Sequence, residues 1–415
     1  MTAALPRTLD LDFVRQQFPA LAGDWVFFDN AGGSQTLATV GDRIRDYLLS
    51  SNVQLGASYA VSQTSGERVA EGTAAIADYI NAADPSEVVL GGSTSLLLRI
   101  LALSLAQTWQ PGDEVIVTNS DHEANISPWV DLGDRGIRVK FWNVNPDTLD
   151  LELDDLKPLL SDRTRLVAVT HASNVLGTVN PIQAIAAIVH DHGAMICVDG
   201  VAYAPHRLID VQAWDVDFYA FSLYKTYGPH QALLYGKADH WRSLPRFNHY
   251  FIDGENFPYK FQPGNVNFEM TYSLTALRDY IADVAQHHGD DCADFSQQTQ
   301  TAFQLMADHE AILGDRLLQF LTGKTNVRIV GQPTMTDTRV PTIAFVVNGV
   351  DSATLPPQVD PHHIGIRFGD FYAKRLINDL GLAAQNGVIR VSMVHYNTVE
   401  ECDRLIQVLD RILTN

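Results

Sequence analysis

Residues 195–231, MICVDGVAYAPHRLIDVQAWDVDFYAFSLYKTYGPHQ, decide the fold. Two short apolar runs lie here, each closing on a polar residue. Met195-Ile196-Cys197-Val198 leads to Asp199, and Phe218-Tyr219-Ala220-Phe221 leads to Ser222 and then Lys225. Continuous apolar runs of this kind mark strands of a parallel sheet covered on both faces, where ligands settle beyond the carboxyl ends. That placement brings Asp199 and Lys225 to one crevice.

The pattern recurs upstream. Val88-Val89-Leu90 enters Gly91-Gly92-Ser93-Thr94-Ser95 and then an apolar helix over 96–106. A glycine turn, hydroxyls and a helix start form an anion cradle, because free N–H groups and the helix dipole face one point. Ser93, Thr94 and Ser95 are the candidate phosphate ligands; a plain helix N-cap is the structural alternative. A strand over 113–118 runs into His122, and one over 166–170 runs into Asn174. A helix over 181–193 crosses to the Asp199 strand, giving the alternating βα order of a parallel sheet.

A lysine and an acid at neighbouring strand ends suit pyridoxal 5'-phosphate (PLP). The lysine forms the Schiff base, and the acid keeps the pyridine nitrogen protonated. Ser222-Leu223-Tyr224-Lys225-Thr226-Tyr227-Gly228-Pro229, with Asp199, resembles the class V aminotransferase family of PLP enzymes, and within it the cysteine desulfurase-like branch. The resemblance implies fold type I: an α/β protein with a mainly parallel central sheet, helices on both faces and a smaller α+β C-terminal domain. The expected division is an N-terminal segment, 1–25, packing with the small domain; a large PLP-binding domain, 26–275; and the small domain, 276–415.

The same resemblance distributes roles. His122, in Ser120-Asp121-His122-Glu123-Ala124-Asn125, is expected to stack on the PLP ring and exchange protons. Asn174, in Ser173-Asn174-Val175-Leu176-Gly177-Thr178, is expected at the phenolic oxygen. Ser222 and Tyr224 join the cofactor set, and Asn265, in Gln262-Pro263-Gly264-Asn265-Val266-Asn267, reaches a neighbouring subunit's phosphate, implying a homodimer with shared sites. Asn30, Ala31 and Gly32 follow the strand-like Trp25-Val26-Phe27-Phe28 and are candidate substrate contacts, as are Arg367 and Tyr372. Arg390 stands where the family's strand arginine binds the substrate carboxylate, a planar anion that suits a bidentate guanidinium.

Departures from the family pattern cluster near the ring. Ala202 replaces a glutamine, Tyr224 a histidine and Asn265 a threonine. The persulfide cysteine of group II desulfurases ends an Arg-x-Gly-His-His-Cys segment; aligned on Arg367-Phe368-Gly369-Asp370-Phe371-Tyr372, its place falls to Tyr372. The expected reaction is therefore β-elimination from a cysteine-derived amino acid, a C–S lyase, with Tyr372, Tyr224 or His122 protonating the leaving sulfur. Aminotransfer, epimerisation and cysteine desulfuration are the alternative reactions, and a PLP-fold scaffold or sensor is the alternative outside catalysis.

Composition narrows the partners. The 415 residues exceed what one core sustains, and 46% apolar with 19% charged residues is ordinary for a globular protein. A net charge of −20 argues against nucleic acid or an anionic membrane. The absence of a long apolar run or a secretory leader leads to an expected cytoplasmic location. Cys197, Cys292 and Cys402 form no CxxC pair, and the adjacent histidines 287–288 and 362–363 diverge in direction, so no metal site is expected.

Overall fold

The computed structural model describes residues 8–252 and 254–414; residues 1–7 of the N-terminal segment lie outside the described residues. The first strand is β1 (Val26–Phe27). The large sheet comprises β2 (Val88–Gly91), β3 (Glu114–Thr118), β4 (Arg138–Trp142), β5 (Thr164–Thr170), β6 (Met195–Asp199), β7 (Phe218–Ser222) and β8 (Ala232–Gly236), in the spatial order β2-β8-β7-β6-β5-β3-β4. Strands β3 to β7 pair in parallel, and β8 runs antiparallel to both its neighbours.

Side-chain alternation explains why these strands read as continuous apolar runs. Val167, Val169, Ile196, Val198, Tyr219 and Phe221 join the core on one face of the sheet. Leu166, Ala168, Cys197, Phe218 and Ala220, the residues between them, join the core on the other. Both faces are dry, so a period of two is invisible. The helix Thr94–Leu105 covers the second face with Leu97, Leu98, Leu101 and Leu105.

A second sheet, with strands β9 (Val327–Val330), β10 (Thr342–Val347), β12 (Arg367–Gly369) and β13 (Val388–Ser392), is antiparallel in the order β12-β13-β10-β9. The short β11 (Ile364–Gly365) pairs in parallel with β1. The C-terminal helix Val399–Thr414 buries Cys402, Leu405, Val408, Leu409 and Leu413, the face generated by a 3.6-residue period. One expectation is corrected here. The sequence places residues 26–28 at the head of the large domain, yet β1 bonds to β11, and Val26 and Phe28 pack into the C-terminal core with Ile343, Ile389 and Leu405. A two-residue strand has too few side chains to reveal its partner, and the apolar surface it covers decides where it sits.

No helix among the described residues is long and apolar enough to cross a membrane.

Candidate active site

Because β3, β5, β6 and β7 run parallel, their carboxyl ends open on one edge. Thr170 and Ala220 flank Asp199 in register. After β7 the chain turns tightly through Leu223–Lys225, held by Thr226 and Gly228 N–H groups donating to Leu223 O. Tyr227 follows in the left-handed region at φ +69°, a conformation that surroundings must impose on a non-glycine residue. Those surroundings are Ser34 Oγ, which accepts from Tyr227 N–H at 2.9 Å, and Pro205 O, which accepts from the Tyr227 hydroxyl at 2.7 Å.

The result is a cavity lined by Ser93, Thr94, Ser95, His122, Asn174, Asp199, Ser222, Tyr224 and Lys225, with Thr170, Ala172, Val201 and Ala202 filling the wall between them. The sequence-derived cofactor residues thus converge, with one exception. Asn265 is exposed and stands apart from the cavity.

Electrostatics separate the groups. Burial pushes the Asp199 carboxyl up to about 6, partly offset by the Val201 N–H and by Lys225. Burial brings the Lys225 amine down to about 8; the Arg390 charge lowers it further, while Asp199 and Asp29 oppose the fall. His122 is pushed down to about 4 by burial, then by the Lys225 charge, so its imidazole is neutral. Its Nδ1 accepts from Ala124 N–H at 3.0 Å, which puts the ring proton on Nε2. Asp121, one residue earlier, is a second buried carboxyl raised to about 7, chiefly by burial and further by Asp199.

Ser93 caps the helix Thr94–Leu105 by accepting from Leu96 N–H, and Thr94 Oγ1 pairs with Ser222 Oγ at 2.8 Å. The first N–H groups of that helix have no partner within it and face an anion site. Asn174 Nδ2 donates to Phe371 O at 2.9 Å, and its buried Oδ1 has no partner. Tyr224 stacks on His230 with centroids 4.8 Å apart. An anion cradle, a buried carboxyl, a lowered lysine amine and an unpaired amide oxygen around one cavity fit PLP in their chemistry.

At the mouth, cross-strand neighbours Arg367 and Arg390 project from β12 and β13. Arg390 is buried, stacked 3.8 Å over the Phe371 ring, and donates to Asn174 O and to Asp29. Phe371 and Tyr372 are consecutive left-handed residues at φ +51° and +59°; Tyr372 is exposed, with its ring 5.1 Å from that of His122. Ala31 N–H donates to Ser392 Oγ. Asn30 corrects an expectation. It is buried, its Nδ2 lies within bonding distance of Phe27 O, Ser392 O and Asn397 Oδ1, and its Oδ1 accepts from Tyr396, so it pins the turn rather than facing a substrate. Asp29 is a site residue that the sequence reading does not name. Asp29 had a signal, since it ends the apolar run 25–28 as Asp199 ends its own.

Residues 26–405 match the family model described as aminotransferase class-V. An aminotransferase-like protein of Gibberella zeae is 42% identical over 418 residues, covering 98% of this chain and 99% of that protein. A cysteine desulfurase-like protein of Aspergillus flavus is 34% identical over 99% of this chain and 92% of its own length. Among solved structures, the cysteine desulfurase CsdA of Escherichia coli matches with a TM-score of 0.83 and 26% identity over 98% of this chain and 99% of that one. The fold is that of the fold type I PLP enzymes, the cofactor is PLP, and the chain belongs to the class V aminotransferase family, among its cysteine desulfurase-like members.

Proposed function

We propose that this enzyme eliminates the β-substituent of a cysteine-derived amino acid, acting as a C–S lyase. The observation that carries the reading is the make-up of the cavity wall, where an amine, a carboxyl and an imidazole meet without a thiol. Cys197 faces the core beneath the sheet, Cys402 is buried in the C-terminal helix, and burial raises both thiols. Cys292 is absent from the cavity lining. With no thiolate to accept sulfur, the chemistry left is proton movement and departure of the Cβ substituent.

PLP, when bound, supplies the electron sink that makes the substrate Cα–H acidic. Ser93, Thr94, Ser95 and Ser222 would hold its phosphate end, Asp199 its pyridine nitrogen and Asn174 its phenolic side, and neutral His122 would lie against the ring. Arg390 takes the substrate carboxylate, and Arg367 extends that positive field. Lys225 Nζ removes the Cα proton; its lowered proton affinity lets a neutral amine exist near pH 8. As the Cβ–S bond breaks, the sulfur takes its electron pair, and the Tyr372 hydroxyl at the cavity mouth donates the proton. His122, brought down to about 4, is neutral near pH 8 and holds no imidazolium proton to give in this step. The 2-aminoacrylate released hydrolyses to pyruvate and ammonia. Asn265, exposed and apart from the cavity of its own chain, supports the further proposal of a homodimer in which each copy completes the other's site.

The relatives' descriptions point both to aminotransfer and to desulfuration, so the test must separate the reactions. Purified protein loaded with PLP is expected to release stoichiometric pyruvate, together with sulfide from L-cysteine, thiocysteine from cystine or the thiol from an S-substituted cysteine. No keto acid from any of them would overturn the lyase. Accumulation of the pyridoxamine form would establish aminotransfer in its place.

A further inference from the structure

Asp29 belongs to no step above, yet it sits where the substrate carboxylate is expected. Its Oδ1 accepts from an Arg390 terminal nitrogen at 2.9 Å, and its Oδ2 lies 3.5 Å from Arg367. Arg390 spends its other terminal nitrogen on Asn174 O, its Nε has no partner, and Phe371 covers its flat face. The edge an incoming carboxylate would grip is thus already gripped by the protein. Gly32 builds this arrangement in. A Cβ there would lie 2.8 Å from Asp29 Oδ2, so a side chain at residue 32 would displace the carboxylate from this position.

The two ion pairs are unequal. Arg390 has 3% of its side chain exposed and makes the shorter bond, whereas Arg367 is 60% exposed, contacts Asp29 at the limit of hydrogen bonding and is otherwise open to solvent. Two guanidiniums share one carboxylate, which leaves the cluster one positive charge in excess. A second carboxylate balances that charge, and Arg367 is placed to retain Asp29 once Arg390 is engaged. Asp29 also continues to Lys225. Ser34, five residues later, donates to Tyr224 O through its N–H and accepts from Tyr227 N–H, so the turn that presents Asp29 is stitched to both sides of the lysine.

We propose that Asp29 is the resident carboxylate of the substrate-carboxylate site: it holds Arg390 in the free enzyme and is handed to Arg367 when a substrate carboxylate arrives. Asp29 is on this view a specificity-determining residue, because every ligand must outcompete it. The inference rests on the reading that Arg390 receives that carboxylate.

The probe is propionate, a monocarboxylate with no amine to react with PLP, titrated into holoenzyme by calorimetry. Asp29→Asn removes the competing charge while keeping the shape, and is expected to tighten propionate binding roughly 2- to 5-fold, the range of a partly exposed ion pair in competition. Arg367→Gln removes the place to which Asp29 retreats and is expected to weaken it by a similar factor. In the PLP-loaded Asn variant the pH midpoint of the visible absorption band also falls, because one of the negative charges facing Lys225, Asp29 and Asp199 against Arg390 and Arg367, has gone. Unchanged or weaker binding in Asp29→Asn overturns the proposal. Should that variant not fold, unchanged binding in Arg367→Gln overturns it alone. Arg390→Gln is the control, and if propionate binding survives it, the underlying assignment of Arg390 fails instead.

Discussion

In the proposed reaction Lys225 would meet the aldehyde of PLP as a neutral amine. Burial and Arg390 bring it down to about 8, where Asp199 and Asp29 hold it from falling further. The rate at which cofactor-free protein regains its visible band on adding PLP is therefore expected to rise with pH along a curve centred near 8, well below the ~10.4 of a free lysine. A midpoint in the free-lysine range would mean that the amine is not held in this field. Tyr372 offers a separate test. Its side chain is exposed and its hydroxyl has no structural duty among the contacts of its loop, which are made by its backbone with Glu123 and Asp370. Tyr372→Phe is expected to lower kcat about 10²-fold, the contribution of a positioned acid, with KM and the melting temperature little changed. Full activity in that variant would move the acid role to Tyr224.

The strand ends that carry the site are packed to their limit. Gly200, the first residue after β6, faces the ring of Tyr219, and a Cβ there would overlap that ring. Tyr219 cannot retreat, being fully buried with its hydroxyl bonded to His171 Nδ1 at 3.0 Å. Gly200→Ala is expected to cost about 1–3 kcal/mol of stability and, by displacing the adjacent Asp199, to weaken PLP retention. Chemical denaturation and dialysis against buffer without PLP check the two effects. Strands of this kind were legible in the chain because dry faces on both sides leave an unbroken apolar run with a polar terminus. The loop 369–372 was not. Left-handed Phe371 and Tyr372 follow from the stacking of Arg390 on Phe371 and from Glu123 N–H donating to Tyr372 O, contacts between segments far apart in sequence.

At the scale of the molecule, the residues read from strand ends converge on one cavity, while Asn30 in the N-terminal turn is buried in that turn's own hydrogen bonds. The turn's direction is set by Ser392, Asn397 and Tyr396 at the other end of the chain. The same region holds His395, which joins three parts of the fold. Its Nε2 meets the Tyr280 hydroxyl at 2.6 Å and its Nδ1 the Tyr227 hydroxyl at 3.0 Å. Because Tyr227 gives its hydrogen to Pro205 O, His395 Nδ1 must donate to it and Nε2 must accept from Tyr280, which only a neutral ring can do. Burial accordingly pushes His395 down to about 3. The unfolded chain takes up this proton near its ordinary ~6.5 and the folded chain does not, so His395 contributes stability that is present above ~6.5 and is lost as pH falls from there toward 3, by at most ~1.4 kcal/mol per pH unit. Asp199 and Asp121 act in the opposite sense, since their raised proton affinities favour the folded state as pH drops, and they hide part of this slope in the wild-type protein. His395→Gln leaves both carboxyls in place. Its stability deficit relative to wild type, measured by urea unfolding in steps from about pH 7.5 down to about pH 5, is expected to shrink with each step below ~6.5 by the one-proton slope. A deficit that stays constant over that range would mean that folded and unfolded chains protonate His395 alike, and the neutral ring bonded between Tyr227 and Tyr280 would then be wrong.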